Sequence, residues 1–194
     1  MNLTITHQEK YSRGELLLRT FLGWLYIVIP HFIVLFFLQI WSSILTFLAF
    51  WSILFAARYP KGMFNFQVKL QRWMVRLNAR LFNLSDGYPA FGLNAEDKYT
   101  NFEMPYPESL SRGLVILKVL FGWLYVFLPH GIILFFRNIA NMVIIVIAWF
   151  SVLITAKYPK GMHDFVVGTL RWQLRVMLYM GLMTDEYPPF SGKA

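Results

Sequence analysis

The chain has 194 residues, of which 57% are hydrophobic, 19% aromatic and only 14% charged, with a net charge of +8 and no cysteine. A soluble domain carries roughly 25% charge, so this composition excludes an ordinary water-exposed globule. The absence of cysteine excludes disulfides, thiolate metal sites and cysteine nucleophiles, and the cations, which lie beside apolar stretches, point to anionic lipid headgroups and away from nucleic acid.

In chain order, Met1 to Lys10 is polar and lacks the apolar core of a cleaved signal peptide. Leu16 to Leu38 is apolar apart from Arg19. As a helix it is about 34 Å long, enough to cross a bilayer. Ile40 to Ala57 follows at about 27 Å, just sufficient. Gln39 and the Ser42-Ser43 pair predict a tight turn between the two spans. Tyr59-Pro60-Lys61-Gly62 comes next, and Pro60 ends the second span because a residue before proline avoids helical geometry. From Met63 to Leu84, Lys69, Arg72, Arg76 and Arg80 recur at helical spacing, with Phe66, Leu70, Trp73 and Leu77 on a neighbouring face. That pattern predicts an amphipathic helix at the membrane interface. Residues 93–110 hold four acids with Pro105 and Pro107, and read as an extended polar linker.

The order then repeats with a shift of 99 residues. Ser12-Arg13-Gly14 meets Ser111-Arg112-Gly113, Gly23-Trp24-Leu25-Tyr26 meets Gly122-Trp123-Leu124-Tyr125, and Pro30-His31 meets Pro129-His130. Tyr59-Pro60-Lys61-Gly62-Met63, Arg72-Trp73, Arg76 and Asp86 meet Tyr158-Pro159-Lys160-Gly161-Met162, Arg171-Trp172, Arg175 and Asp185. Apolar sequence matches by chance in leucine, not in tryptophan, proline, histidine and arginine together, so this is a duplication. Unit 1 covers 1–92 and unit 2 covers 111–194, with 93–110 between. Spans 114–136 and 139–156, a turn at Arg137-Asn138 and an amphipathic helix 162–183 complete unit 2.

The expected fold is all-α and membrane-integral: four transmembrane helices as two parallel two-span repeats, each followed by an amphipathic helix on the cytoplasmic face. Every Lys and Arg except Arg137 lies away from the turns between paired spans. The positive-inside rule therefore places both termini in the cytoplasm, and the pseudo-twofold axis along the membrane normal.

Three groups of residues are candidates for chemistry. His31 and His130 each follow a proline within a span, where a polar side chain is costly. Facing each other they would ligate a haem or metal; packed singly, each would hydrogen-bond a freed carbonyl or a neighbouring helix. Arg72, Arg76, Arg171 and Arg175 suit two-pronged grip of a phospholipid phosphate. Asp86 and Asp185 would instead fold back on these arginines as structural ion pairs. No catalytic or metal motif occurs: there is no Gly-x-Ser-x-Gly, no His-Glu-x-x-His and no phosphate-binding loop.

The run Tyr106-Pro107-Glu108-Ser109-Leu110-Ser111-Arg112, then Leu128-Pro129-His130, Lys157-Tyr158-Pro159, Arg171-Trp172 and Asp185-Glu186-Tyr187-Pro188-Pro189-Phe190 resembles the bacterial membrane family known as the domain of unknown function 4389. The likeness occurs once per unit. Unit 1 departs from it in Glu9-Lys10-Tyr11 and in Ala90. The resemblance implies the architecture and carries no activity. The expectation for function is a non-enzymatic scaffold or accessory subunit in the bacterial inner membrane. Its partners would be anionic lipids and other membrane proteins, with no nucleic acid and no cofactor. The alternatives are an anionic-phospholipid-handling protein and a haem- or metal-binding redox subunit built on His31 and His130.

Overall fold

The computed structural model describes residues 1–193 and contains four helices and a two-stranded ribbon. Strand β1 is Asn2–Ile5, α1 is Arg13–Ala56, α2 is Lys61–Leu81, β2 is Thr100–Glu103, α3 is Arg112–Thr155 and α4 is Lys160–Met180. The repeat is visible element for element: α1 with α2, then α3 with α4.

The predicted turns at 39–43 and 137–138 are not formed. α1 and α3 each run unbroken for 44 residues. Neither expected turn, 39–43 or 137–138, contains glycine or proline, and the polar groups there find partners without leaving the helix. Ser43 Oγ donates to Gln39 O, and Ser42 Oγ donates 2.6 Å to Gln67 Oε1 on α2. Arg137 Nε donates 2.9 Å to Thr169 Oγ1, and Gln173 donates to Asn138 Oδ1. Each unit thus offers one continuous helix long and apolar enough to cross a membrane, rather than two spans and a turn.

Local sequence sets the ends of these helices. Ser12 and Ser111 cap the starts, their hydroxyls accepting from Glu15 N and Leu114 N. Ala57 and Ala156 stop α1 and α3 in the left-handed conformation, at φ 55° and 57°, before Pro60 and Pro159 are reached. Just before Pro30 and Pro129 each helix widens into a π turn, Trp24–Val28 and Trp123–Phe127. The wide turn accommodates a ring that would otherwise strike the carbonyl four residues back.

The long helices are bowed. A straight 44-residue helix is about 66 Å long. Yet Ser12 N donates 2.7 Å to Asp86 Oδ2, and the end of α2 folds back with Leu84 N donating to Ala79 O. So anchored, the chain from Ala57 through α2 to Asp86 reaches about 60 Å even when taut. In unit 2 the bonds from Ser111 N to Asp185 and from Met183 N to Leu178 O impose the same limit. The amphipathic helix is therefore the string of a bow, and the π turn beside the proline is a recognised site of bending.

α1 and α3 lie antiparallel, touching near both ends. Arg13 Nη2 donates to Ile154 O, Trp149 Nε1 donates to Thr20 Oγ1, and Arg112 Nη2 donates to Phe55 O. Between these contacts α1 buries only a stripe, including His31, Leu35 and Ser42, under its own α2. The twofold relating the units runs across the long helices. β1 and β2 sit on it, pairing antiparallel so that Leu3 faces its repeat mate Phe102. Both are buried, at 0% and 1% exposure, in the central core with Tyr11, Val75, Val115 and Leu178. The apolar faces of α2 and α4 meet the long helices and their cationic faces meet the ribbon and tails, so neither lies bare on a surface.

Candidate functional site

Each unit is closed by the same latch. His31 Nδ1 accepts 2.7 Å from Trp73 Nε1 on α2, and His130 Nδ1 accepts 2.9 Å from Trp172 Nε1 on α4. The tail after each amphipathic helix then returns its Tyr-Pro segment over the imidazole. Tyr88 and Phe91 lie 5.4 and 4.9 Å from the His31 ring, and Phe190 stacks on His130 at 4.0 Å with Tyr187 at 5.4 Å. Both histidines are fully buried, each inside its own unit.

This geometry fixes the protonation state. An indole N–H only donates, so Nδ1 must present its lone pair, and the imidazole is neutral with its proton on Nε2. A haem iron or metal needs a nitrogen lone pair. In His31 and His130 one lone pair is held by tryptophan and the other nitrogen carries the proton. The residues therefore do not fit a haem or metal ligated at this pair. Each Nε2–H is buried and without a protein acceptor.

The aspartates anchor the tails, but not through the arginines of the amphipathic helices. Asp86 pairs with Arg19 at 3.3 Å and accepts from Ser12 N; Asp185 pairs with Lys118 at 2.9 Å and accepts 2.6 Å from Ser111 N. Position 19 and its repeat mate 118 are cations one turn or more inside the long helix, each also bonded to the carbonyl before the aspartate, Ser85 O and Thr184 O. Burial pushes the Asp86 carboxyl up, and the Ser12 N–H and Arg19 oppose that rise.

The four arginines hold backbone. Arg76 Nη1 and Nη2 donate to Ala95 O and Gly92 O, and Arg175 Nη1 donates to Ser191 O. Arg72 Nε donates 2.8 Å to Phe102 O, while Arg171 donates 3.0 Å to Leu3 O and 2.7 Å to Gly192 O. Arg76 is 3% exposed, and burial lowers its pKa. Arg76→Lys is expected to lose one of its two carbonyl bonds and lower stability by about 1.5–3 kcal/mol, measured as a shift in the detergent unfolding midpoint. The exposed Lys61→Gln serves as the unaffected reference.

Sequence reasoning missed the contact between units formed by the arms. His7 Nε2 donates 2.7 Å to Tyr158 O, and its ring stands edge-on to His163 at 5.0 Å. In the other half the repeat mates are Tyr106, donating to Tyr59 O, and Phe64, edge-on at 5.2 Å. The repeat alignment itself was the available signal. His163 is 1% exposed, its ring nitrogens have no hydrogen-bond partner, and Asp164 Oδ1 stands 3.6 Å from Nδ1. Burial first, then His7, holds its pKa below the ordinary value, outweighing Asp164. A histidine depressed in the folded state binds fewer protons there than in the unfolded chain. Stability is therefore full above the ordinary histidine value of about 6.5 and falls as pH drops below it. His163→Phe, the residue carried by unit 1, is expected to flatten that acid limb in unfolding midpoints measured across pH.

Bowed apolar helices strung by amphipathic ones, with a His–Trp latch in each half, define a duplicated helical protein with candidate membrane spans. The family described as Domain of unknown function (DUF4389) matches twice, over residues 16–92 and 117–192, and the chain belongs to it as a tandem duplication. No curated protein and no solved structure matches the chain.

Proposed function

We propose that the protein is a non-enzymatic scaffold or accessory subunit of the bacterial inner membrane, packing against other membrane proteins and against lipid. One observation carries this reading. Large apolar side chains are exposed along the whole of both long helices, from Leu17 to Phe55 and from Ile116 to Ile154. The buried polar groups, by contrast, hold the chain to itself through latches, tail anchors and backbone clamps. Lys10, Arg13, Arg58 and Lys61 flank α1, and Arg112, Lys157 and Lys160 flank α3. By the positive-inside rule both ends of each bow lie on the cytoplasmic face, with the convex apolar side in the bilayer. The twofold axis then runs along the membrane normal.

Photo-cross-linking residues introduced at Phe36 and Phe136, which are 51% and 65% exposed, test the partner claim. A defined membrane-protein adduct at one of these positions, absent when the label sits on exposed Tyr88, is the expected result. Adducts to lipid alone at both positions would contradict a scaffold.

A further inference from the structure

The duplication exposes a seat for a phosphate group in unit 1, and this inference does not depend on the scaffold reading. In unit 2 the tail lies directly on α4. A Cβ added to Gly168 would meet Gly192 O at 3.1 Å, and one added to Gly192 would meet Gly168 O at 2.5 Å, so only paired glycines allow the crossing. That crossing delivers Gly192 O to Arg171, which also holds Leu3 O. Unit 1 reproduces half of this. Arg72 holds Phe102 O, the repeat mate of Leu3, through Nε. Position 69, the mate of Gly168, is lysine, and position 93, the mate of Gly192, is leucine. The tail cannot cross there. Leu93 packs instead with Leu70 and Trp73, and the linker loops away.

What remains is a cavity of about 430 Å³ between α2 and the linker, lined by Lys69, Arg72, Arg76, Asn94 and Thr100 among others. Arg76, at 3% exposure, forms part of its wall. Two acids also line it. Asp97 is engaged by Arg80 at 2.6 Å and by the N–H groups of Tyr99 and Thr100, which leaves Glu96 against three cations. Among the described residues the terminal nitrogens of Arg72 and the Lys69 ammonium have no protein acceptor. In unit 2 the equivalent arginine grips an oxygen at this place. In unit 1 the oxygen is missing and a second cation has been added.

We propose that this cavity binds a phosphate group, gripped by the planar fork of Arg72 with Lys69 as a point charge. The group comes either from an anionic phospholipid headgroup or from a soluble phosphate, and the chemistry recognised is the same. Two arms distinguish the sources, both using the full chain. In the first, protein in neutral detergent is dialysed to equilibrium against radiolabelled inorganic phosphate. In the second, protein is reconstituted in phosphatidylcholine vesicles doped with phosphatidylglycerol, and retained lipid is read by native mass spectrometry. One phosphate or one phosphatidylglycerol per chain is expected. Lys69→Gln and Arg72→Lys should each weaken binding by about tenfold, the second although it keeps its charge. The exposed Lys61→Gln, outside the cavity, should leave binding unchanged. Both seat variants replace side chains on the open side of α2, and their unfolding midpoints report that they remain folded. Binding in the first arm identifies a soluble phosphate, binding in the second alone a headgroup. A parent that binds neither, or seat variants that remain folded and bind like the parent, would overturn the proposal.

Discussion

Trp73→Ala is expected to lower stability by about 3–5 kcal/mol, the cost of emptying a large core site. Trp73 is 1% exposed, packs edge-on to Phe91 at 4.9 Å and donates the bond that His31 accepts. Removing it opens a cavity and orphans a buried imidazole nitrogen together. Trp73→Phe separates the two, keeping most of the volume and losing the N–H, with an expected cost of about 1–3 kcal/mol. Trp172→Ala should behave alike through His130. Denaturant unfolding in detergent measures all three. Trp24→Ala is the reference, because that side chain is 59% exposed and should change little. If Trp73→Ala cost no more than Trp24→Ala, the latch would not hold the unit closed.

Arg80→Met is expected to cost about 3–5 kcal/mol, because breaking a buried pair strands a charge. Arg80 and Asp97 meet at 2.6 Å with side chains each 4% exposed. Asp97 also gathers the linker, accepting from Tyr99 N, Thr100 N and Thr100 Oγ1. Those bonds hold the start of β2, so the loss should extend to the ribbon. Hydrogen exchange at residues 99–103 reads this directly. Arg80→Met with Asp97→Asn should recover part of the loss, since the asparagine leaves no stranded charge and still accepts from the backbone. A double variant no more stable than Arg80→Met would show that the pair is not coupled.

The repeat and the amphipathic helices were legible because tryptophan, proline and arginine recur at fixed places and because cations and aromatics alternate with a helical period. The break in the long helices was misread. Gln39, Ser42 and Ser43 are polar enough to suggest a turn, yet serine tolerates a helix interior when its hydroxyl has a partner, and Gln67 supplies one from a segment 25 residues away. The ribbon was missed for a related reason. Leu3 and Ile5 alternate with polar residues over only four positions, and their partner strand lies about a hundred residues downstream. At the candidate site the residue types were readable and their partners were not. His31, Asp86 and Arg76 all stand out in the sequence, but spacing alone does not say that they reach Trp73, Arg19 and Gly92.

The lack of native cysteine makes one measurement direct. Single cysteines at Lys10 and Lys61, beyond the two ends of α1, and at Phe37 near its middle are treated with a membrane-impermeant maleimide, in intact cells and after lysis. With both ends of the bow on the cytoplasmic face, Lys10 and Lys61 are protected in intact cells and become labelled together after lysis, while Phe37 stays unlabelled in lipid. If either end were labelled from outside and the other only after lysis, α1 would cross the membrane once, and the bowed, one-faced arrangement would be wrong.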